Sequence, residues 1–178
     1  MDRILSPTKS SQRFQAKWYA IYTLPNHEKK IYELLTQKKI HAFLPLQTTI
    51  RKWSDRRKKI YVPLFSCYVF VKITAKEYFL VLNTPGVIRY VTFEGRAASI
   101  PESQIRLIKN ILEFNLEIEE VSGAIEKGEK VEVKFGILRG LMGELIEFAN
   151  NKRVILKIEE INRTLLVNIP LNYLKQVS

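Results

Sequence analysis

KWYAIYTLPNHEKKIYELLTQKK, residues 17–39, changes its periodicity partway along, and that change decides the fold. WYAIY (18–22) is aromatic and β-branched, the composition of a strand. After Pro25-Asn26 the apolar spacing lengthens. Ile31, Leu34, Leu35 and Lys38 recur at i, i+3, i+4 and i+7, which predicts a helix from Pro25-Asn26 to about Lys39. A strand that feeds directly into a helix points to mixed α/β structure.

The pattern continues downstream. Phe43 to about Trp53 and Ile60 to Ile73 read as extended runs, with SDRRKK (54–59) as a charged hairpin tip. Pro45 and Pro63 push those runs toward edges or bulges. Thr74-x-x-Glu77 is a capping-box pattern opening a short helix through Leu82. Asn83-Thr84-Pro85-Gly86 turns the chain into a strand, VIRYVTF (87–93). Ser99-x-x-Glu102, with Pro101 in the first turn, opens a last helix carrying Ile105, Ile108 and Leu112 on one face. The order β-α-β-β-α-β-α predicts an α/β sandwich of the ferredoxin-like kind.

Five of the seven glycines (Gly123, Gly128, Gly136, Gly140 and Gly143) come after every helix signal. NLEIEEVSGAIEKGE (115–129) reads as an acidic connector. Past it, VEVKF (131–135), GELIEF (143–148), RVILKIEEI (153–161) and TLLVNI (164–169) are short, β-rich segments. So small an all-β domain protects its edges best by closing, which predicts an SH3-like barrel. The expected organisation is α+β: a tail at 1–15 with no apolar periodicity, a sandwich at 16–115, a linker at 116–125 and a barrel at 126–178.

Composition narrows the function. The 178 residues are 46% hydrophobic and carry a formal net charge of +11. Residues 17–63 hold eleven Lys and Arg against three Asp and Glu, so most of the surplus sits in one quarter of the chain. A localised basic surface suggests a polyanionic partner. No run is long and apolar enough for a membrane span, and the N-terminus lacks the apolar region of a secretory signal, so a cytoplasmic protein is expected. Cys67 is the sole cysteine, which excludes an internal disulfide, and inert packing in a strand is its expected role. With only two histidines, His27 and His41, a metal site is not expected, and no cofactor is called for. There is no P-loop, Rossmann fingerprint, nucleophile elbow or triad spacing, so an enzyme is not expected.

Three stretches together resemble the N-terminal (NGN) domain of NusG-type transcription elongation factors: KWYAIYTLPNHEKKIYELL, FLPLQTTIRKWSDRRKKIYVPLFSCYVFVKI and LNTPGVIRYVTFEG. GEKVEVKFGILRGLMGELIE resembles the KOW motif that follows it in that family. The hairpin and the TPGVIRYVTFEG stretch look most like the specialised paralogues, RfaH-like and especially UpxY-like antiterminators of polysaccharide operons.

The resemblance implies a binding protein. Its NGN domain would dock on the clamp helices of the largest RNA polymerase subunit through the aligned Tyr22, Phe65, Tyr68 and Phe70. Strand alternation sets Tyr68 and Phe70 on one face; the same aromatics also serve simply as core. In the specialised paralogues the first helix and the turn before the fourth strand touch the non-template DNA strand. The corresponding residues are Asn26, His27, Lys29 and Lys30, with Thr84 and Arg89 nearby. A helix N-terminus and lysines suit phosphate, and Asn or His suits an unpaired base; a solvated lysine face needs neither. Arg51, Lys52, Arg56, Arg57, Lys58 and Lys59, with Trp53 among them, suit a nucleic-acid backbone. Glu77-Tyr78-Phe79-Leu80 replaces the polar segment that holds the polymerase gate loop in RfaH-like paralogues, and Ile137-Leu138 replaces the Pro-Phe of the KOW loop. The family's KOW partners are a ribosomal small-subunit protein and the termination factor Rho. Two other readings stay open: a free-standing RNA-binding or ribosome-associated module, and a housekeeping NusG.

Overall fold

The computed structural model describes residues 15–52, 57–114, 116, 118–121, 128–136, 138–148, 151–158 and 163–177. The expected tail at 1–15 lies outside them except for its last residue. Within this range the chain forms two compact units, one running up to Leu44 and resuming over Ser66–Glu102, the other comprising Pro45–Phe65 and Ser103–Ser178.

The first unit is built around strand β1 (Lys17–Thr23). Trp18, Ala20, Ile21 and Thr23 are all buried, so β1 is covered on both faces, as a central strand must be. It pairs antiparallel with β5 (Tyr68–Ile73), from Lys17↔Ile73 to Tyr22↔Tyr68. Its other edge takes β6 (Val87–Tyr90) and then β9 (Ser99–Ile100) along successive stretches. β2 (His41–Phe43) flanks β5 and completes the order β2-β5-β1-β6. That is the strand order of the expected ferredoxin-like split β-α-β sheet.

Helix α1 (Glu28–Gln37) begins later than its apolar spacing suggests. Pro25-Asn26 instead forms a turn in which Asn26 takes φ 62° and the His27 amide donates to Leu24 O at 3.2 Å. Its C-terminus is a Schellman motif: Ile40 N–H reaches Leu35 O and Lys39 N–H reaches Thr36 O, with Lys39 left-handed at φ 60°. Ile31 and Leu35 fill the core from this helix. The capping box is as read: the Glu77 carboxylate accepts from the amide and the hydroxyl of Thr74, both at 2.8 Å. It opens a 3-10 turn, Ala75–Glu77, that runs into helix α2 (Tyr78–Leu82).

Three long strand readings break up. The 43–53 run separates into β2 and β3 (Leu46–Lys52), interrupted by buried Leu44 and Pro45. The 60–73 run separates into β4 (Arg57–Pro63) and β5 around a turn at Ser66-Cys67. VIRYVTF stops at Val91, after which β7 (Thr92–Phe93) and β8 (Arg96–Ala97) form a small hairpin. Ser99 is no helix cap, since it pairs with Tyr19 within β9, and helix α3 (Glu102–Glu113) starts after Pro101. Its buried face is Ile105, Ile108 and Ile111, with Leu112 only half-buried.

In the second unit β3 and β4 form a two-stranded ribbon of their own. The C-terminal strands are β10 (Ile118–Val121), β11 (Glu129–Val133), β12 (Met142–Phe148), β13 (Asn151–Ile158), β14 (Arg163–Val167) and β15 (Leu174–Gln176). Their order is β10-β14-β13-β12-β11-β15. Two corrections follow. The expected linker contributes a strand, because β10 pairs along β14 from Ile118↔Val167 to Val121↔Thr164. The expected closed barrel is not found among the described residues: β15 and β10 occupy the edges that closure would have joined. Gly136 and Gly140 both take positive φ, and at Gly128 a Cβ would meet Leu145 O.

Candidate functional site

Across β5, β1 and β6 the register lines up Tyr68, Tyr22 and Arg89. Directly opposed residues of antiparallel strands share a face, so the three form one row. The tyrosine rings meet edge to face, centroids 5.4 Å apart at 73°, and the Arg89 guanidinium lies 5.8 Å from the Tyr22 centroid. Tyr22 and Tyr68 are half-buried and Arg89 is exposed. The row therefore offers a contact surface with apolar bodies, hydroxyl tips and one cation.

Phe70, two residues along β5, is 0% exposed. Its ring centroid is 6.0 Å from that of Phe43, and its β1 neighbour Ala20 is buried as well. Phe65 is also 0% exposed and belongs to the second unit. Of the four aromatics expected at a polymerase contact, Tyr22 and Tyr68 reach the surface, whereas Phe65 and Phe70 are core.

The turn before Tyr68 is held at both ends of one residue. Cys67 has φ 67°, a left-handed conformation unusual for a residue other than Gly, Asn or Asp. Its amide donates to Glu28 Oε1 at 2.7 Å, and its carbonyl accepts from the Thr23 amide at 2.9 Å. Glu28 is the first residue of α1 and only 5% exposed. Nothing in the sequence singled it out, because its partner lies in a distant turn.

Asn26, His27, Lys29 and Lys30 are exposed around the start of α1. The His27 ring binds Pro25 O through Nδ1 at 2.9 Å; a carbonyl only accepts, so Nδ1 carries the proton. The carboxylate of Glu28 already supplies negative charge to the first turn, which leaves attraction for phosphate to Lys29 and Lys30 rather than to the helix end. Thr84 departs from expectation. It is 2% exposed; its hydroxyl donates to Leu80 O at 3.0 Å and accepts from Lys38 Nζ at 2.8 Å, so its side chain has internal work.

On the ribbon, Arg51 stands opposite Lys58 and Lys52 opposite Arg57. Ile50 and Tyr61 are exposed, as are Lys58 and Lys59. Trp53 and Arg56 lie outside the described residues. In the C-terminal part, a cavity of about 80 Å³ is framed by Val133, Phe135, Leu138, Ile169 and Tyr173, the Phe135 and Tyr173 rings standing 6.0 Å apart. Among the described residues no group of three or more His, Cys, Asp and Glu could hold a metal ion, and no helix is long and apolar enough to cross a membrane.

These features define an α+β chain with a split β-α-β sheet, an aromatic–cationic row on that sheet and a basic ribbon. The family model described as transcription termination factor nusG matches residues 16–109, and the chain belongs to the NusG family. It is 28% identical over 165 residues to the transcription termination/antitermination protein NusG of Rickettsia prowazekii (strain Madrid E), covering 85% of this chain and 84% of that protein. The Staphylococcus carnosus (strain TM300) protein of the same description is 26% identical over 151 residues, 76% of this chain and 81% of that one. A solved structure, "Domain interaction in Thermotoga maritima NusG", shares the fold with a TM-score of 0.59 and 20% identity, covering 92% of this chain and 98% of that one.

Proposed function

We propose that this protein is a transcription elongation and antitermination factor that docks on the clamp helices of RNA polymerase. The observation that carries the reading is the Tyr68–Tyr22–Arg89 row, a surface of the kind that anchors protein interfaces. The names of the relatives, transcription termination/antitermination proteins, support the same activity. Phe70 and Phe43, paired with each other across β5 and β2, continue the same sheet face beside the row. Docking there favours a closed clamp to the extent that the closed state binds the row more tightly than the open one, and that difference suppresses pausing and termination.

Asn26, His27, Lys29 and Lys30 follow the non-template strand in this reading, and the ribbon basics Arg51, Lys52, Arg57 and Lys58 follow nucleic-acid backbone. The hairpin and TPGVIRYVTFEG support action at particular operons, such as polysaccharide clusters, and a cytoplasmic site of action follows. The cleft between Phe135 and Tyr173 is the surface by which the C-terminal strands would take a protein partner, a ribosomal small-subunit protein or Rho.

The test is co-migration of the full chain with core RNA polymerase at low and high salt, for the natural protein and for Tyr68→Ala. Salt-resistant binding that Tyr68→Ala removes, from a mutant that still unfolds cooperatively, is the expected result. Binding that salt abolishes and Tyr68→Ala leaves unchanged replaces this reading with a free-standing nucleic-acid module, for which the exposed Tyr61 and Lys59 of the ribbon are the favouring observation.

A further inference from the structure

We propose that Glu28 is a positioning residue for the docking row: by holding Cys67 in its left-handed turn it sets Tyr68 against Tyr22. The inference rests on the docking reading above for its consequence, though not for its geometry. A non-glycine residue at φ 67° persists only where its surroundings over-determine it. Both backbone polar groups of Cys67 are so held, the amide by Glu28 Oε1 at 2.7 Å and the carbonyl by the Thr23 amide at 2.9 Å. The bond to Glu28 is charge-assisted and its acceptor is nearly buried, which places it among the stronger hydrogen bonds of a protein. Tyr68 begins β5 at the very next residue, and Thr23 follows Tyr22 in β1. The two clasped residues are thus the immediate neighbours of the two tyrosines that touch.

The same carboxylate belongs to the first turn of α1, beside exposed Lys29 and Lys30. One side chain therefore ties the helix start proposed to follow DNA to the strand start proposed to meet polymerase. A shift of α1 on nucleic acid would move Glu28, and through Cys67 the ring of Tyr68. Glu28 touches neither partner in this scheme and acts only through the turn.

The experiment uses the full chain with 3-fluorotyrosine incorporated, the position-68 resonance being assigned from its loss in Tyr68→Phe. Glu28→Ala is expected to shift that resonance and to weaken binding to core RNA polymerase by about ten-fold, part of the worth of one charge-assisted hydrogen bond. Glu28→Gln, whose amide oxygen still accepts from Cys67, is expected to recover most of both effects. Cys67→Gly added to Glu28→Ala is also expected to recover them, since glycine adopts the left-handed turn without help. A role for Glu28 elsewhere in the fold would not be relieved by a change at Cys67. An unmoved resonance in Glu28→Ala, or a loss that neither Gln nor Cys67→Gly repairs, overturns the inference. If the resonance moves and is rescued while Tyr68→Ala binds polymerase normally, the positioning role stands and the docking reading fails.

Discussion

Tyr90 is 2% exposed at the end of β6, its ring stacked on Tyr78 at 4.2 Å and its hydroxyl donating to Tyr78 O at 2.9 Å. Burial first, and then the neighbouring Tyr78, Tyr19 and Glu77, push its ionisation well above the ordinary tyrosine range; Tyr19 is raised too, by burial and by Tyr78. The unfolded chain ionises these phenols near pH 10, whereas the folded chain resists. Stability from this source is whole below that pH and declines as pH climbs above it toward the folded-state value. Tyr90→Phe should cost about 1 kcal/mol at pH 7 through the lost hydrogen bond, and the deficit should shrink above pH 10. Urea unfolding at pH 7 and pH 10.5 measures both, and an equal deficit at the two values refutes the account. At this scale the alternation in CYVFV foretold that Tyr68 and Phe70 share a face, and the register bears this out. It did not foretell their different exposure. Alternation tells which face a residue takes, and only the fold tells what covers it.

Turns carry the same lesson for elements. The turn read at Asn83–Gly86 lies one residue further along: Val87 N–H bonds Thr84 O at 3.0 Å, Pro85 takes the second position and Gly86 the third at φ 93°. What the local pattern could not reveal is the floor of that turn. A Cβ on Gly86 would come within 3.0 Å of Ile31 Cδ1, on a side chain that is itself 0% exposed in α1. Gly95, in the β7–β8 turn at φ 76°, would present its Cβ to open space. Gly95→Ala should therefore cost only left-handed strain, about 1 kcal/mol, whereas Gly86→Ala adds a forced repacking and should cost about 2–3 kcal/mol. Equal losses in urea unfolding would mean that Ile31 yields freely. Long extended runs break for a related reason. The runs ending at Trp53 and Ile73 have strand composition throughout, but Leu44-Pro45 and Ser66-Cys67 break the ladder, the latter through a left-handed residue that no propensity signals. IEEV at 118–121 erred in the opposite direction: its acidic composition reads as linker, and pairing with a strand more than forty residues away overrides that.

For the molecule as a whole, the uneven charge makes a claim that net charge alone cannot. Residues 17–63 hold eleven of the 29 Lys and Arg, while residues 116–178 carry nine against ten Asp and Glu. If the basic surplus serves nucleic acid, where a lysine sits must matter more than how many there are. Lys29 and Lys30 are exposed at the start of α1, and Lys130 and Lys175 are exposed among the C-terminal strands, so two double substitutions alter net charge equally in different places. Each phosphate contact to a single strand contributes about 0.7 to the slope of log affinity against log salt, so Lys29→Ala with Lys30→Ala should flatten that slope by about 1.4. Lys130→Ala with Lys175→Ala should leave it unchanged. Titration of a fluorescent single-stranded oligonucleotide across a salt series decides the matter. An equal flattening by both pairs would reduce the basic surplus to bulk attraction, and the α1 start would lose its claim to the strand.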